Sequence, residues 1–120
     1  MPAKLPDGEA SFNETYGAYK YRAAKKGFDF DLSKEQFREI TSQDCFYCGK
    51  SPSHVSHPGR YPGNYLYNSV DRKDNSKGYI LGNCIPACGD CNKMRNTILT
   101  VDEMKVAMQA VLEYRNRKLN

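Results

Sequence analysis

The amino-terminal third of the chain has the residue spacing of an amphipathic helix. Apolar residues recur at three- and four-residue steps over residues 12–23, which predicts a helix that buries one stripe. The run Ser11-Phe12-Asn13-Glu14 fits a capping box that would begin this helix. Gly27 would end it, because glycine adopts left-handed dihedral angles at little cost. We therefore expect a helix over about residues 11–26.

Two further capping boxes predict two more helices. Ser33-Lys34-Glu35-Gln36 would begin a helix that runs to about Ser42, after a short extended segment at residues 28–32. Thr100-Val101-Asp102-Glu103 would begin a final helix that runs to about Lys118. One face of that final helix carries Val101, Met104, Met108 and Val111, which indicates a stripe that packs on a core.

The middle of the chain has a different character. Residues 49–66 are rich in turn formers such as proline and glycine, which predicts a loop. Residues 65–72 are rich in tyrosine and valine and predict a strand, and a second strand is expected near residues 84–86. A polar loop over residues 73–78 separates the two strands. A short helix is expected over residues 89–98.

Length and composition limit the architecture and the class of protein. The 120 residues are 39% hydrophobic, which suits one small α+β domain over residues 1–120. Within it we expect a helical region at 11–42, a core at 45–98 and a helix at 100–118. No apolar run is long enough to cross a membrane, and residues 1–8 lack a signal peptide's apolar core. We therefore expect a cytoplasmic protein. The net charge of +4 permits a nucleic-acid partner without requiring one.

The cysteines are spaced as metal ligands. Cys45 and Cys48 form one C-x2-C pair, and Cys88 and Cys91 form a second. Two thiolates three positions apart on a tight turn can converge on one tetrahedral Zn²⁺, so two such pairs predict a structural zinc site. Two disulfides or a redox-active pair are the alternatives. The fifth cysteine, Cys84, is expected to be a small buried apolar residue.

Polar residues between the cysteine pairs suggest a second metal site. Asp71 ends the first predicted strand, and Asn92 directly follows the last cysteine of the tetrad. These two side chains could converge on one hard divalent ion, Mg²⁺ or Mn²⁺, which would neutralise charge on a scissile phosphate.

At residues 45–98 the sequence resembles the zinc-containing form of the HNH, or ββα-metal, nuclease family. The resemblance implies a zinc-stapled, treble-clef-like ββα core with Asp71 and Asn92 as ligands of the catalytic ion. It also implies that Asn83 braces the loop through hydrogen bonds and that Arg95 is a basic residue of the site. The run from Asp71 to Tyr79 looks like a variant of phage and prophage members.

One position departs from the family pattern. Arg72 stands where a general-base histidine normally follows the aspartate, and a guanidinium stays protonated at neutral pH. Arg72 could instead hold the scissile phosphate in a bidentate contact. Another group would then activate water. The candidates are His57 first, then His54, the tyrosines at 65, 67 and 79, or metal-activated water.

The sequence therefore predicts a metal-dependent DNA endonuclease that nicks DNA or cuts both strands. Lys73, Lys77, Lys93 and Arg95 are the residues expected to contact the DNA backbone. Two alternatives remain at this point: a zinc-stabilised nucleic-acid-binding module with impaired catalysis, and a zinc-ribbon adaptor for proteins. The final helix could provide a homodimer surface, although packing on its own domain is the simpler role.

Overall fold

The computed structural model describes residues 4–119, so residues 1–3 and 120 of the expected domain lie outside it. Its elements are α1 (Glu9–Lys26), α2 (Lys34–Thr41), β1 (Ser69–Arg72), β2 (Cys84–Ala87), α3 (Gly89–Arg95) and α4 (Val101–Leu119). The α+β class is confirmed. Among the described residues, no helix combines the length and the apolar character that crossing a membrane requires.

Helix α1 begins two residues earlier than predicted, and the capping box at Ser11 is wrong. The residue before the helix is Gly8, whose φ of 88° is favourable only for glycine, and no side chain caps the first turn. Ser11 is buried inside the helix, where its hydroxyl accepts the Tyr65 N–H at 3.1 Å. The predicted end is confirmed, because Gly27 adopts the left-handed conformation with φ 77°.

The other two capping boxes are present as predicted. At α2 the Ser33 hydroxyl accepts the Gln36 N–H at 3.1 Å, and Gln36 Oε1 accepts the Ser33 N–H at 2.9 Å. At α4 the Thr100 hydroxyl accepts the Glu103 N–H at 3.1 Å, and Glu103 Oε1 accepts the Thr100 N–H at 2.8 Å. Each box satisfies two backbone donors that a helix start otherwise leaves unpaired.

Strands β1 and β2 form an antiparallel hairpin whose register pairs Ser69 with Ala87 and Arg72 with Cys84. The first strand is shorter than predicted, because Tyr67 forms an isolated bridge with His54 instead of extending the hairpin. Helix α3 is also shorter than predicted. It ends at Arg95, since the next residue, Asn96, has a φ of 44° and leaves the helix.

The described residues bury two separate apolar clusters. The first, which we call the aromatic core, joins α1 and α2 to one face of β1 and consists of Phe12, Tyr19, Leu32, Phe37, Ile40, Tyr67 and Val70. The second, which we call the cysteine core, lies between β2, α3 and α4. It consists of Cys45, Tyr47, Ile85, Ala87, Cys88, Cys91, Met104 and Met108. Val101 and Val111 pack against it, so the predicted stripe of α4 has the expected role.

Candidate active site and metal centre

The four predicted zinc ligands converge. The sulfur atoms of Cys45, Cys48, Cys88 and Cys91 all lie within 4.8 Å of one another. The Cys48 and Cys88 sulfurs are 3.7 Å apart. A tetrahedral ion with metal–sulfur distances of about 2.3 Å places its ligand sulfurs about 3.8 Å apart, so this donor set fits Zn²⁺. All five cysteines, each within the described residues, are free thiols rather than disulfides.

Local backbone geometry builds both halves of the tetrad. Gly49 has a φ of 77°, which lets the chain turn sharply after Cys48. Cys88 is the N-cap of α3, and its sulfur accepts the Cys91 N–H at 3.4 Å. Burial acts to raise the pKa of Cys45, but hydrogen bonds involving the backbone of Cys48, Cys88 and Tyr47 outweigh it and lower that pKa to about 7. The backbone therefore favours the thiolate that a metal ligand requires.

Cys84 lies outside the tetrad, as predicted. It is partly buried on β2, where it packs against the aromatic core. Burial raises the pKa of its thiol to about 11, so the side chain stays protonated and acts as a small apolar residue.

Asp71 lies at the centre of a buried polar network. The residue is 3% exposed, and its Oδ2 accepts a 2.6 Å hydrogen bond from the Tyr47 hydroxyl. Its Oδ1 pairs with the guanidinium of Arg95, which is itself 2% exposed. Burial, reinforced by the hydrogen bond to Asp71, raises the pKa of Tyr47, so the phenol keeps its proton and remains the donor. The network ties the first cysteine turn to β1 and α3.

This geometry bears on two predicted roles. Each Asp71 oxygen already accepts from a protein donor in the interior, so a cation held by Asp71 and Asn92 would share those oxygens with Tyr47 and Arg95. Arg95 also donates to the backbone oxygens of Arg72 at 2.9 Å and Lys73 at 2.7 Å. Its burial makes it a structural residue, which corrects the prediction that it contacts the DNA backbone.

Arg72 lies on the opposite face of β1 from Asp71, because successive side chains of a strand alternate. Its guanidinium stacks on the Phe28 ring at 3.8 Å. Its Nη1 donates to the backbone oxygens of Asn75 at 2.9 Å and Lys77 at 2.8 Å. These contacts close the loop between β1 and β2, and they do not suit the predicted phosphate clamp.

Asn83 braces the same loop from the other side. Its Oδ1 accepts the Asp74 N–H at 2.9 Å, and its Nδ2 donates to the Gly78 oxygen at 2.9 Å. This is the hydrogen-bonding role that the family resemblance implied. The residue is buried and acts on the loop rather than on a reacting group.

An open groove runs beside β1 and α3, and we call it the β1–α3 groove. One part of it encloses about 410 Å³ and is lined by Lys50, Ser53, His54, Asn68, Ser69, Cys88, Gly89, Asp90 and Lys93. The adjoining part shares Ser69, Gly89 and Lys93 and adds Asn92 and Asn96. Two of the predicted residues, Asn92 and Lys93, therefore line one accessible groove. Lys73 lines other depressions and not this groove.

The two histidines are in different places. His57, the first candidate for the general base, lies 3.1 Å from Glu14 on α1 and does not line the groove. His54 does line it, as Ser69 and Lys93 do. Of the groove residues, Lys50, Ser69 and Asp90 were not singled out in the sequence. The tetrad holds the turn before residue 50 next to α3, and the bridge between His54 and Tyr67 holds His54 next to the segment that leads into β1.

Comparison with known proteins agrees with this architecture. The hairpin and α3 form a small ββα arrangement beside the cysteine tetrad. A solved structure that shares the fold is the rare-cutting HNH restriction endonuclease PacI, which was described for its mechanism of DNA perturbation. The two chains superpose with a TM-score of 0.68 at 24% identity, over 89% of this chain and 80% of that chain.

Sequence comparison adds a viral relative. The chain is 33% identical over 102 residues to the uncharacterized protein R423 of Acanthamoeba polyphaga mimivirus. The matched region covers 85% of this chain, but this chain spans only 17% of that protein's length. No protein-family model matches the sequence.

Proposed function

We propose that the protein is a metal-dependent DNA endonuclease with a structural Zn²⁺ in the cysteine tetrad. The observation that carries the proposal is the accessible groove beside β1 and α3, within a fold shared with an HNH restriction endonuclease. The tetrad supports the zinc assignment through its sulfur spacing and all-thiol ligand set. A viral relative supports a phage or viral origin.

The groove offers the groups that phosphodiester hydrolysis needs. Lys50 and Lys93 are exposed on its walls and would bind non-bridging phosphate oxygens. The Asn92 amide would hold the phosphate or an attacking water. A bound Mg²⁺ or Mn²⁺ would neutralise charge on the scissile phosphate. Asp71 would keep β1 in place from the interior, through Tyr47 and Arg95.

The test is incubation of supercoiled plasmid with the zinc-loaded protein and Mg²⁺ or Mn²⁺. We expect conversion to nicked or linear DNA, inhibited by EDTA at concentrations that leave the zinc bound. Lys93→Ala should lower both binding and cleavage. Lys34→Ala is the matched control, because Lys34 lies on α2 away from the groove. Salt-sensitive DNA binding without metal-dependent cleavage would support the binding-module alternative instead.

Cutting both strands requires either two binding events or two copies of the site. We propose α4 as the homodimer surface, because Val106 and Tyr114 are exposed large side chains on it. Analytical ultracentrifugation with and without DNA tests this, and a monomer in both states would exclude it.

A further inference from the structure

The loop that contains His54 is fixed against the core. The backbone N–H of His54 donates to the Tyr67 oxygen at 3.1 Å, and the Tyr67 N–H donates back to His54 at 3.0 Å. The two rings meet edge to face, with centroids 5.2 Å apart and planes at 82°. Tyr67 is itself buried in the aromatic core. The backbone of His54 is therefore held in place. Its side chain is exposed, so the imidazole is accessible to water.

The other side chains named as candidates are engaged elsewhere, and Tyr79 among them packs against the aromatic core. Arg72 is stacked on Phe28 and bonded to its own loop, and His57 pairs with Glu14. Burial raises the pKa of Tyr67 to about 12 and also raises that of Tyr65. Both phenols therefore keep their protons near neutral pH and do not act as bases. The charged residues that line the groove together with His54 are Lys50 and Lys93, which are cations, and Asp90.

Resting on the proposed function, we propose that His54 is the general base that activates water in the β1–α3 groove. Histidine is the side chain that exchanges a proton most readily between pH 5 and 8. Lys50 and Lys93, which line the same groove, would bind the phosphate there. The geometry thus assigns to a loop residue the task that Arg72 cannot perform from β1.

In the proposed step, a water oxygen forms a bond to phosphorus while one water proton passes to the unprotonated ring nitrogen of His54. The bond from phosphorus to the leaving ester oxygen breaks, and its electron pair stays on that oxygen. The leaving oxygen takes a proton from solvent, and His54 returns its own proton to solvent. No oxidant or reductant is needed.

The experiment compares His54→Ala and His54→Gln with His57→Ala, all zinc-loaded, in the plasmid assay. We expect both His54 variants to nick about 10²- to 10⁴-fold more slowly, the usual contribution of a general base. His57→Ala should nick at the wild-type rate. Binding of a fluorescent duplex without divalent metal should be the same for all four proteins, and matching far-UV circular dichroism would show that each is folded.

Chemical rescue separates a base from a structural residue. Added imidazole should restore nicking by His54→Ala in proportion to its unprotonated form, and should leave the wild type unaffected. Nicking by His54→Ala at the wild-type rate, or a loss that imidazole does not restore while His54→Gln remains active, would overturn the assignment. Absence of nicking by the wild type would instead defeat the proposed function itself.

Discussion

The two cores stabilise the same hairpin by different means. The aromatic core packs rings against one another, and Phe37 alone lies within 6.3 Å, centroid to centroid, of Phe12, Tyr16, Tyr19 and Phe30. The cysteine core instead contains thiols and small side chains such as Ala87, with two methionines from α4. The first core can form by apolar burial alone, whereas the second brings together four thiols that a bound metal would hold.

Removal of the metal should have the largest effect on stability, and it should destabilise the cysteine core more than the aromatic core. Structural Zn²⁺ contributes on the order of 10 kcal/mol to the folding of small domains, so a strong chelator or Cys88→Ser should unfold the cysteine core. Hydrogen exchange should show α3 and α4 losing protection before α1 and α2. Cys84→Ser is the control and should keep the zinc. A metal-free protein with unchanged circular dichroism would contradict the prediction.

Truncation of a side chain at the centre of the aromatic core should give the next largest loss of stability. Phe37 is fully buried, so Phe37→Ala should lower the free energy of unfolding by about 3–5 kcal/mol through lost burial and an unfilled cavity. Urea denaturation of the zinc-loaded protein measures this. Zinc content should stay at wild-type level, because the tetrad lies in the other core. Tyr21→Ala, at an exposed position of α1, should change stability little.

The smallest expected loss of stability comes from weakening the hydrogen bond between Tyr47 and Asp71. Tyr47→Phe removes the hydroxyl that donates to Asp71 and leaves one buried carboxylate oxygen without that donor, at a cost of about 1–3 kcal/mol. Denaturation should detect the loss, and DNA nicking should fall with it if Asp71 positions β1. Tyr21→Phe, at an exposed position of α1, is the matched control. Equal stability of the two variants would argue against the network.

Local signals in the sequence predicted local structure well. The boxes at Ser33 and Thr100 are correct because a capping box is formed within four residues. Ser11 matched the same pattern but was wrong, since its hydroxyl is used by Tyr65, far away in the sequence. The cysteine tetrad was predictable because ligand spacing within each pair is itself local.

Local sequence patterns could not predict which residues surround the predicted site residues, because those contacts are distant in sequence. The partners of Asp71 are Tyr47 and Arg95, each 24 residues distant, and neither has a spacing that indicates the contact. The face on which Arg72 lies follows from strand alternation, but its stacking partner, Phe28, comes from the segment after α1. The preference for His54 over His57 as the proposed general base likewise depends on one backbone bridge, between His54 and Tyr67.

Tyr47 stands between two thiol ligands in the chain and bonds directly to Asp71 on β1. We therefore expect zinc binding and the ordering of the hairpin to be coupled. Under the proposed function, a newly made chain without zinc would lack an ordered groove and would act on DNA only after metallation. The supply of zinc in the cell would then set when the proposed activity begins.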